Sequence, residues 1–167
     1  MISTVSAMGL MVSGLPDVVV RVAGPDDVGA IASLRALWSA GAEADLEFEA
    51  RMATWIAAER DRRTTWIAAL HGSPVGMASL LEYRRMPRPG LPDSRWGYVS
   101  NMFVREELRD RGVGSALLSA IIATADERGY VRLVLSPSPR SLPFYLRSGF
   151  IVPDETAGGD RLLVRPR

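Results

Sequence analysis

Apolar and polar positions alternate along the chain in two rhythms, one of strands and one of helices. "VVVRVA" (Val18 to Ala23) is short and β-branched, which predicts a strand. "GPDDVGAIASLRALW" then opens with proline and two aspartates, acids at the positive end of an amphipathic helix. Between Asp45 and Glu59, Leu46, Phe48, Met52, Trp55 and Ile56 recur at helical spacing and predict a second helix. "TTWIAAL", "HGSP" and "VGMASLLEY" read as strand, tight turn and returning strand. "RRMPRPGLPDSR" (Arg84 to Arg95) is a surface loop, and "WGYVSNMFV" (Trp96 to Val104) the next strand. A long helix is expected from Gly112 to Arg128, stopped by Gly129. "VRLVLS" predicts a strand and "PSPRSLPFYLRSG" a short helix, with "FIV" and "RLLV" as closing strands. The order is βααβββαβαββ, an α/β chain with an antiparallel hairpin region and a later strand–helix–strand unit, one domain with helices on both sheet faces. Residues 1–17 read as a flexible N-terminal tail and residues 18–167 as one domain.

Composition narrows the chemistry. At 167 residues with 47% hydrophobic and 23% charged side chains, the chain has the make-up of an ordinary globular domain. A net charge of +1 predicts no general attraction to nucleic acid or to an anionic membrane. No segment reaches the ~20 apolar residues of a membrane span, and no basic leader precedes the first strand, so a cytoplasmic protein is expected. Cysteine is absent, which excludes thiol nucleophiles, disulfides and thiolate metal sites. The single histidine, His71, leaves neither a His-based metal site nor a serine–histidine triad, and no metal is expected. Lysine is also absent: all 20 basic residues are arginine, which removes Schiff-base chemistry and a lysine-bearing phosphate loop.

What remains is the junction "RDRGVGSALL" (Arg109 to Leu118), two arginines and two glycines between a strand and a long helix. Glycine lets backbone turn sharply and approach a ligand closely. The first N–H groups of a helix have no internal partner, and the helix dipole adds positive character there. Donors from Arg111 to Ser115 form a site suited to phosphate oxygens. Equally, Gly112 and Gly114 could serve only to pack the helix against the sheet. A dinucleotide fingerprint is excluded: its third small residue falls on Leu117, and "VRLVLS" ends without a ribose-binding acid.

"NMFVREELRDRGVGSALL" resembles the acetyl-CoA-binding motif of the GNAT superfamily of N-acetyltransferases, an apolar strand, a loop, Arg/Gln-x-x-Gly-x-Gly/Ala and a helix. "SPSPRSLPFYLRSGF" resembles the closing signature of that superfamily, a helix with an aromatic–tyrosine pair ending in Gly-Phe. The resemblance spans about residues 18 to 165. It implies a mixed, mostly antiparallel sheet with a splayed central strand pair and helices on both faces, the backbone of Met102, Phe103 and Val104 pairing with the pantetheine amides like an added strand. It also implies a phosphate cradle from Arg109, Asp110, Arg111, Gly112, Val113, Gly114 and Ser115. Asp110 is expected to contribute backbone only. Ser138, where relatives often carry asparagine, is a further candidate for the pantetheine arm.

On the same resemblance Tyr145 is the general acid for the departing sulfur; the bland alternative is that it packs beside Phe144. Pro143 fits only a first helical turn, so that helix should begin near Ser141. The histone-type glutamate has no counterpart in "WGYVSN". Glu82 on the neighbouring strand is the nearest acid and the candidate base, with a water relay through Tyr98 or Ser100 as another route and a merely solvated Glu82 as the plainer reading. The first two helices and the 84–95 loop should border the acceptor. Arg84, Arg85 and Arg88 could attract an acidic amine; Trp38, Phe48 and Trp55 could line a wall; Asp45, Glu47 and Glu49 would suit a cationic acceptor. The expected activity is acetyl transfer from acetyl-CoA to a primary amine of a small molecule. A peptide acceptor and a non-catalytic acyl-CoA sensor are the alternatives, and a homodimer is left open because dimers are common among look-alikes.

Overall fold

Among the described residues seven strands lie in the order of the chain, β1 to β7, in one sheet. In the computed structural model the described residues are 10–12, 15–39, 45–153 and 162–167. They form β1 (Leu10–Val12), β2 (Leu15–Val22), α1 (Val28–Trp38), α2 (Phe48–Glu59), β3 (Arg63–Leu70) and β4 (Ser73–Arg84). β5 (Arg95–Val104), α3 (Val113–Glu127), β6 (Arg132–Leu135), α4 (Leu142–Arg147) and β7 (Leu163–Pro166) follow. Every neighbouring pair is antiparallel except β5–β6. The α/β class and the mostly antiparallel sheet are therefore as the patterning and the resemblance led us to expect.

Two boundaries differ from the sequence reading. The tail expected over residues 1–17 contains strand from Leu10 onward, because Leu10 and Met11 pair with Val20 and Val19 of β2. Residues 1–9 lie outside the described part. "FIV" is not a strand: Ile151 makes one antiparallel bridge to Val164, and the segment beside β6 is instead β7.

The register follows from local causes. His71 and Gly72 both have positive φ, 48° and 81°, the pairing that matches strand twist in a tight hairpin. In β4, Ala78 and Leu80 enter the larger core with α3, Tyr130 and Leu133, whereas Met77 enters a smaller core with Ile31 and Leu34 of α1. That alternation places α3 and α4 on one face and α1 and α2 on the other. Gly97 sits where a side chain cannot go: a Cβ there would lie 2.5 Å from Leu80 and 2.9 Å from Leu133. The glycine thus lets three strands close beneath α3.

Between Met77 and Ser79 the β4–β5 register shifts, with Ser79 opposite Ser100 but Met77 opposite Phe103. The extra residue belongs to β5, and Asn101 there has φ of 52°. This is a β-bulge, which bends its strand. Beside it the parallel β5–β6 pairing is confined to Gly97–Leu133 and Tyr98–Val134. β5 continues to Val104 while β6 ends at Leu135, so the two strands part beyond Tyr98.

Candidate functional site

The parting strands and the start of α3 share the same end of the sheet. Gly112 precedes α3 with φ of 87° and ψ of −7°, a left-handed turn that a side chain resists. Asp110, at φ of 60°, makes a similar turn two residues earlier. Together they fold the backbone so that the amides of residues 111–115 come in succession at the helix start. Among the described residues none of these amides donates to a protein acceptor; the first bond of the turn runs from Ala116 N–H to Gly112 O at 3.0 Å. The first turn holds no acid to cap it. Five unpartnered donors at the positive end of a 15-residue helix are suited to anionic oxygens.

The surrounding candidates are less uniform. Arg111 and Ser115 are exposed beside this turn. Arg109 is turned back: its Nε donates to the carbonyl of Val104 at 3.2 Å and its Nη1 to Glu106 at 3.2 Å. It therefore ties the end of β5 to the loop and engages one lone pair of the Val104 carbonyl. Met102 and Val104 pack against the larger core and Phe103 belongs to the smaller one, so their backbones run along the open edge of β5 between two cores. Ser138 caps the turn before α4: its Oγ accepts from Ser141 N–H at 3.2 Å and lies 2.9 Å from Ser141 Oγ.

Tyr145 is buried in α4, edge-on to Phe144 and Phe150 with ring centroids 5.0 and 5.7 Å away. Pro143 stands in the first turn after Ser141, where no helical N–H is lost. Among the described residues the phenol has no hydrogen-bond partner, yet its oxygen is not a fully buried orphan, so it keeps access to a surface. Desolvation pushes its pKa up to about 12. The hydroxyl is consequently a protonated donor throughout the neutral range.

Glu82 does not fit the role of base. It projects to the α3 face, where its carboxylate accepts from Tyr130 Oη at 2.7 Å and from Arg84 Nε at 2.8 Å, with Arg95 3.6 Å away. Burial opposes its charge, but these hydrogen bonds and cations outweigh that and hold its pKa below the usual glutamate range. The acceptor-side cleft described next lies on the opposite face. Glu82→Gln is expected to cost stability, by about 1–3 kcal/mol for a disrupted charged network. Because the folded pKa is depressed, this difference is full above the unfolded value near 4.3 and shrinks as pH falls through the folded one. Urea unfolding of both proteins at pH 7 and pH 3 measures it. If acetyl transfer by the folded variant fell a hundredfold, this placement would be wrong.

Between the sheet and α1–α2 lies a cleft of about 230 Å³. Its walls are Ile31, Phe48, Met52, Trp55, Ile56 and Met77, and Arg35 and Arg51 complete them. Its floor is polar: Thr65 and Ser79 lie 2.9 Å apart through their hydroxyls, and Asn101 Nδ2 is 3.5 Å from Ser79 Oγ. Ser79 is only 2% exposed, the one buried polar residue among those described. Phe48 and Trp55 thus line a wall, as considered from the sequence, while Trp38 stacks instead on Phe103 at 5.8 Å. The 84–95 loop contributes nothing to this cleft, and Arg84 is engaged by Glu82. Asp45 is bound by Arg51. Thr65, Ser79, Asn101 and Arg35 escaped the sequence reading. The available signal was Asn101, a poor strand former inside an apolar strand, which marks a bulge.

A bulged strand parts from its parallel neighbour beside a helix whose first amides are free, which leaves an open strand edge next to donors suited to anionic oxygens. The Acetyltransferase (GNAT) family model matches residues 30–150, and the chain belongs to that family. A glucosamine 6-phosphate N-acetyltransferase of Trypanosoma brucei brucei is 32% identical over 79 residues, 47% of this chain and 52% of the relative. An uncharacterized N-acetyltransferase of Escherichia coli K12, YafP, is 32% identical over 85 residues, 51% of this chain and 44% of the relative. The chain thus matches about half the length of these curated relatives. Among solved structures, a predicted acetyltransferase from Clostridium acetobutylicum with acetyl-CoA superposes with a TM-score of 0.68 at 22% identity, covering 85% of this chain and 95% of that one. PaiA N-acetyltransferase from Thermoplasma acidophilum, in complex with coenzyme A, gives 0.65 at 15% identity, covering 90% and 99%. At these identities the likeness is one of fold. No helix among the described residues is long and apolar enough to cross a membrane, and no cluster of metal-ligating side chains occurs among them.

Proposed function

We propose that the protein transfers an acetyl group from acetyl-CoA to a primary amine of a small molecule. The observation that carries this reading is the run of unpartnered amides over residues 111–115 next to the parting of β5 and β6. Those amides suit the diphosphate of coenzyme A, with Arg111 and the exposed Ser115 beside it. The free edge of β5, from Val99 to Val104, suits the pantetheine amides by strand addition. Solved relatives of the same fold that carry acetyl-CoA or coenzyme A support the choice of acyl donor.

In the reaction the neutral amine attacks the thioester carbon, a C–N bond forms, and the C–S bond breaks. The sulfur takes up negative charge as it leaves, and the amine nitrogen must lose a proton. Tyr145 is the donor assigned to the sulfur. A phenol held at about 12 does not protonate a thiolate of ordinary pKa completely; it stabilises it by donating a hydrogen bond. Among the described residues no carboxylate or imidazole lines the acceptor cleft, so in this reading the amine's proton leaves through water and the amine arrives neutral. The same lack of a base in the cleft is what favours the second reading, an acyl-CoA-binding module without turnover.

Calorimetry with acetyl-CoA, followed by release of free CoA thiol with a panel of amines, tests both. Binding in the micromolar range with amine-dependent thiol release is expected, the rate rising with pH along the ionisation of the amine itself. Binding without turnover of any amine would select the module, and absence of binding would end both readings.

A further inference from the structure

The cleft between α1–α2 and the sheet has a chemistry of its own, and it restricts the acceptor. Among the described residues, six of its lining side chains are apolar or aromatic and none is acidic. A polyamine or an aminoglycoside, carrying several cations, would meet only Arg35 and Arg51 as charged partners there. Of these two, Arg51 is already neutralised by Asp45. Arg35 is not: its guanidinium donates to Ser39 Oγ at 2.6 Å and stacks on the Trp38 ring at 4.9 Å, with no carboxylate paired to it among the described residues. A half-buried guanidinium held by stacking, with donors to spare, is preorganised for one anionic group. At the floor, Asn101 adopts a left-handed backbone at the bulge, and its amide makes a single long contact, 3.5 Å to Ser79. Its carbonyl oxygen is thus available to accept from an amine. The cleft, about 230 Å³, lies below the ~300–1,000 Å³ usual for drug-sized ligands, which limits the acceptor to a compact molecule.

Resting on the acetyl-transfer reading above, we propose that the acceptor is a hydrophobic α-amino acid or a molecule of that size and polarity. Its apolar side chain lies against Met52, Trp55 and Ile56, its carboxylate is held by Arg35, and its amine is oriented by Asn101. The reaction is then acetyl-CoA plus amino acid to N-acetyl amino acid plus CoA. The C–N bond replaces the C–S bond, and one amine proton passes to the solvent or the departing sulfur. Arg35 and Asn101 act by binding and orienting, not by moving the proton.

The test compares leucine, phenylalanine and methionine with their primary amides, glucosamine 6-phosphate and spermidine, each rate referred to its neutral-amine fraction. The free amino acids should exceed their amides in kcat/KM by roughly tenfold or more, the size of effect a charge-assisted hydrogen-bonded pair gives. In Arg35→Gln, which keeps a donor for Ser39, the acid-to-amide ratio should collapse toward one through a rise in KM for the acids. Amides as good as acids, a preference for spermidine or the sugar phosphate, or an unchanged ratio in Arg35→Gln would each overturn the acceptor assignment. Acetyl-CoA calorimetry run alongside separates the two levels. Bound acetyl-CoA with turnover of other amines only removes this inference alone, whereas no binding removes the acetyl-transfer reading with it.

Discussion

Gly114→Asp is expected to leave a stably folded protein whose affinity for acetyl-CoA falls at least about 100-fold, or about 2.7 kcal/mol. Gly114 is the second residue of α3, and unlike Gly112 it has no positive φ. A Cβ there would meet Phe144 at 3.7 Å and Val104 at 3.9 Å, ordinary contact distances, so the fold accepts a side chain. A carboxylate in the first turn is also favourable to the helix, by roughly 0.3–1 kcal/mol. The same carboxylate would occupy the free amides and repel the diphosphate. Stability and binding should therefore move in opposite directions, which a general folding defect cannot imitate. Thermal unfolding and calorimetry with acetyl-CoA measure the two. Undiminished affinity in a folded variant would mean the phosphates lie elsewhere. Gly112 is a poorer probe because its left-handed backbone makes any side chain there strained.

Tyr145→Phe should lower kcat by about 100-fold or more, the usual scale for a lost hydrogen-bond donor to developing negative charge, with acetyl-CoA affinity nearly unchanged. The protein should fold at least as well at neutral pH, since the phenol makes no internal hydrogen bond that the change would break. Its raised pKa adds a second, independent readout. Folded at about 12 against about 10 unfolded, the buried phenol resists ionisation, so its effect on stability is nil below pH 10. As pH rises from 10 to 12 the unfolded chain ionises first, and the native state loses about 2–3 kcal/mol relative to it. Relative to Tyr145→Phe, the wild type should thus lose stability across this window. Full activity in the phenylalanine variant would return Tyr145 to a packing role beside Phe144 and Phe150.

Much of this candidate site's local geometry is legible in the sequence. The glycine at 112 and the apolar stretch before it announced a tight turn into a helix, and the aromatic–tyrosine pair after Pro143 announced α4. Glu82 looks available in the sequence as a lone acid near the right strand; in the fold its carboxylate is shared by Arg84 on its own strand, Arg95 on β5 and Tyr130 after α3. The 84–95 loop looks available in the same way, its arginines signalling charge without indicating which edge of the sheet they would occupy. β1 was overlooked because "LMV" is too short to stand out, and it becomes a strand only by pairing with β2.

The chain's own pattern determined which segments are strands or helices and where α3 must begin, because periodicity, helix stops and positive-φ positions are local properties. The face that each strand residue presents was decided only in three dimensions. A shift of one residue turns every side chain of a strand to the other side. The bulge makes such a shift at Asn101, next to Ser100, whose partner across the sheet is Ser79. Two neighbouring residues of β5 thereby face the same side, and three strands contribute one polar floor beneath an apolar cleft. That arrangement arises from packing between segments far apart in the chain, so no window of the sequence contains it.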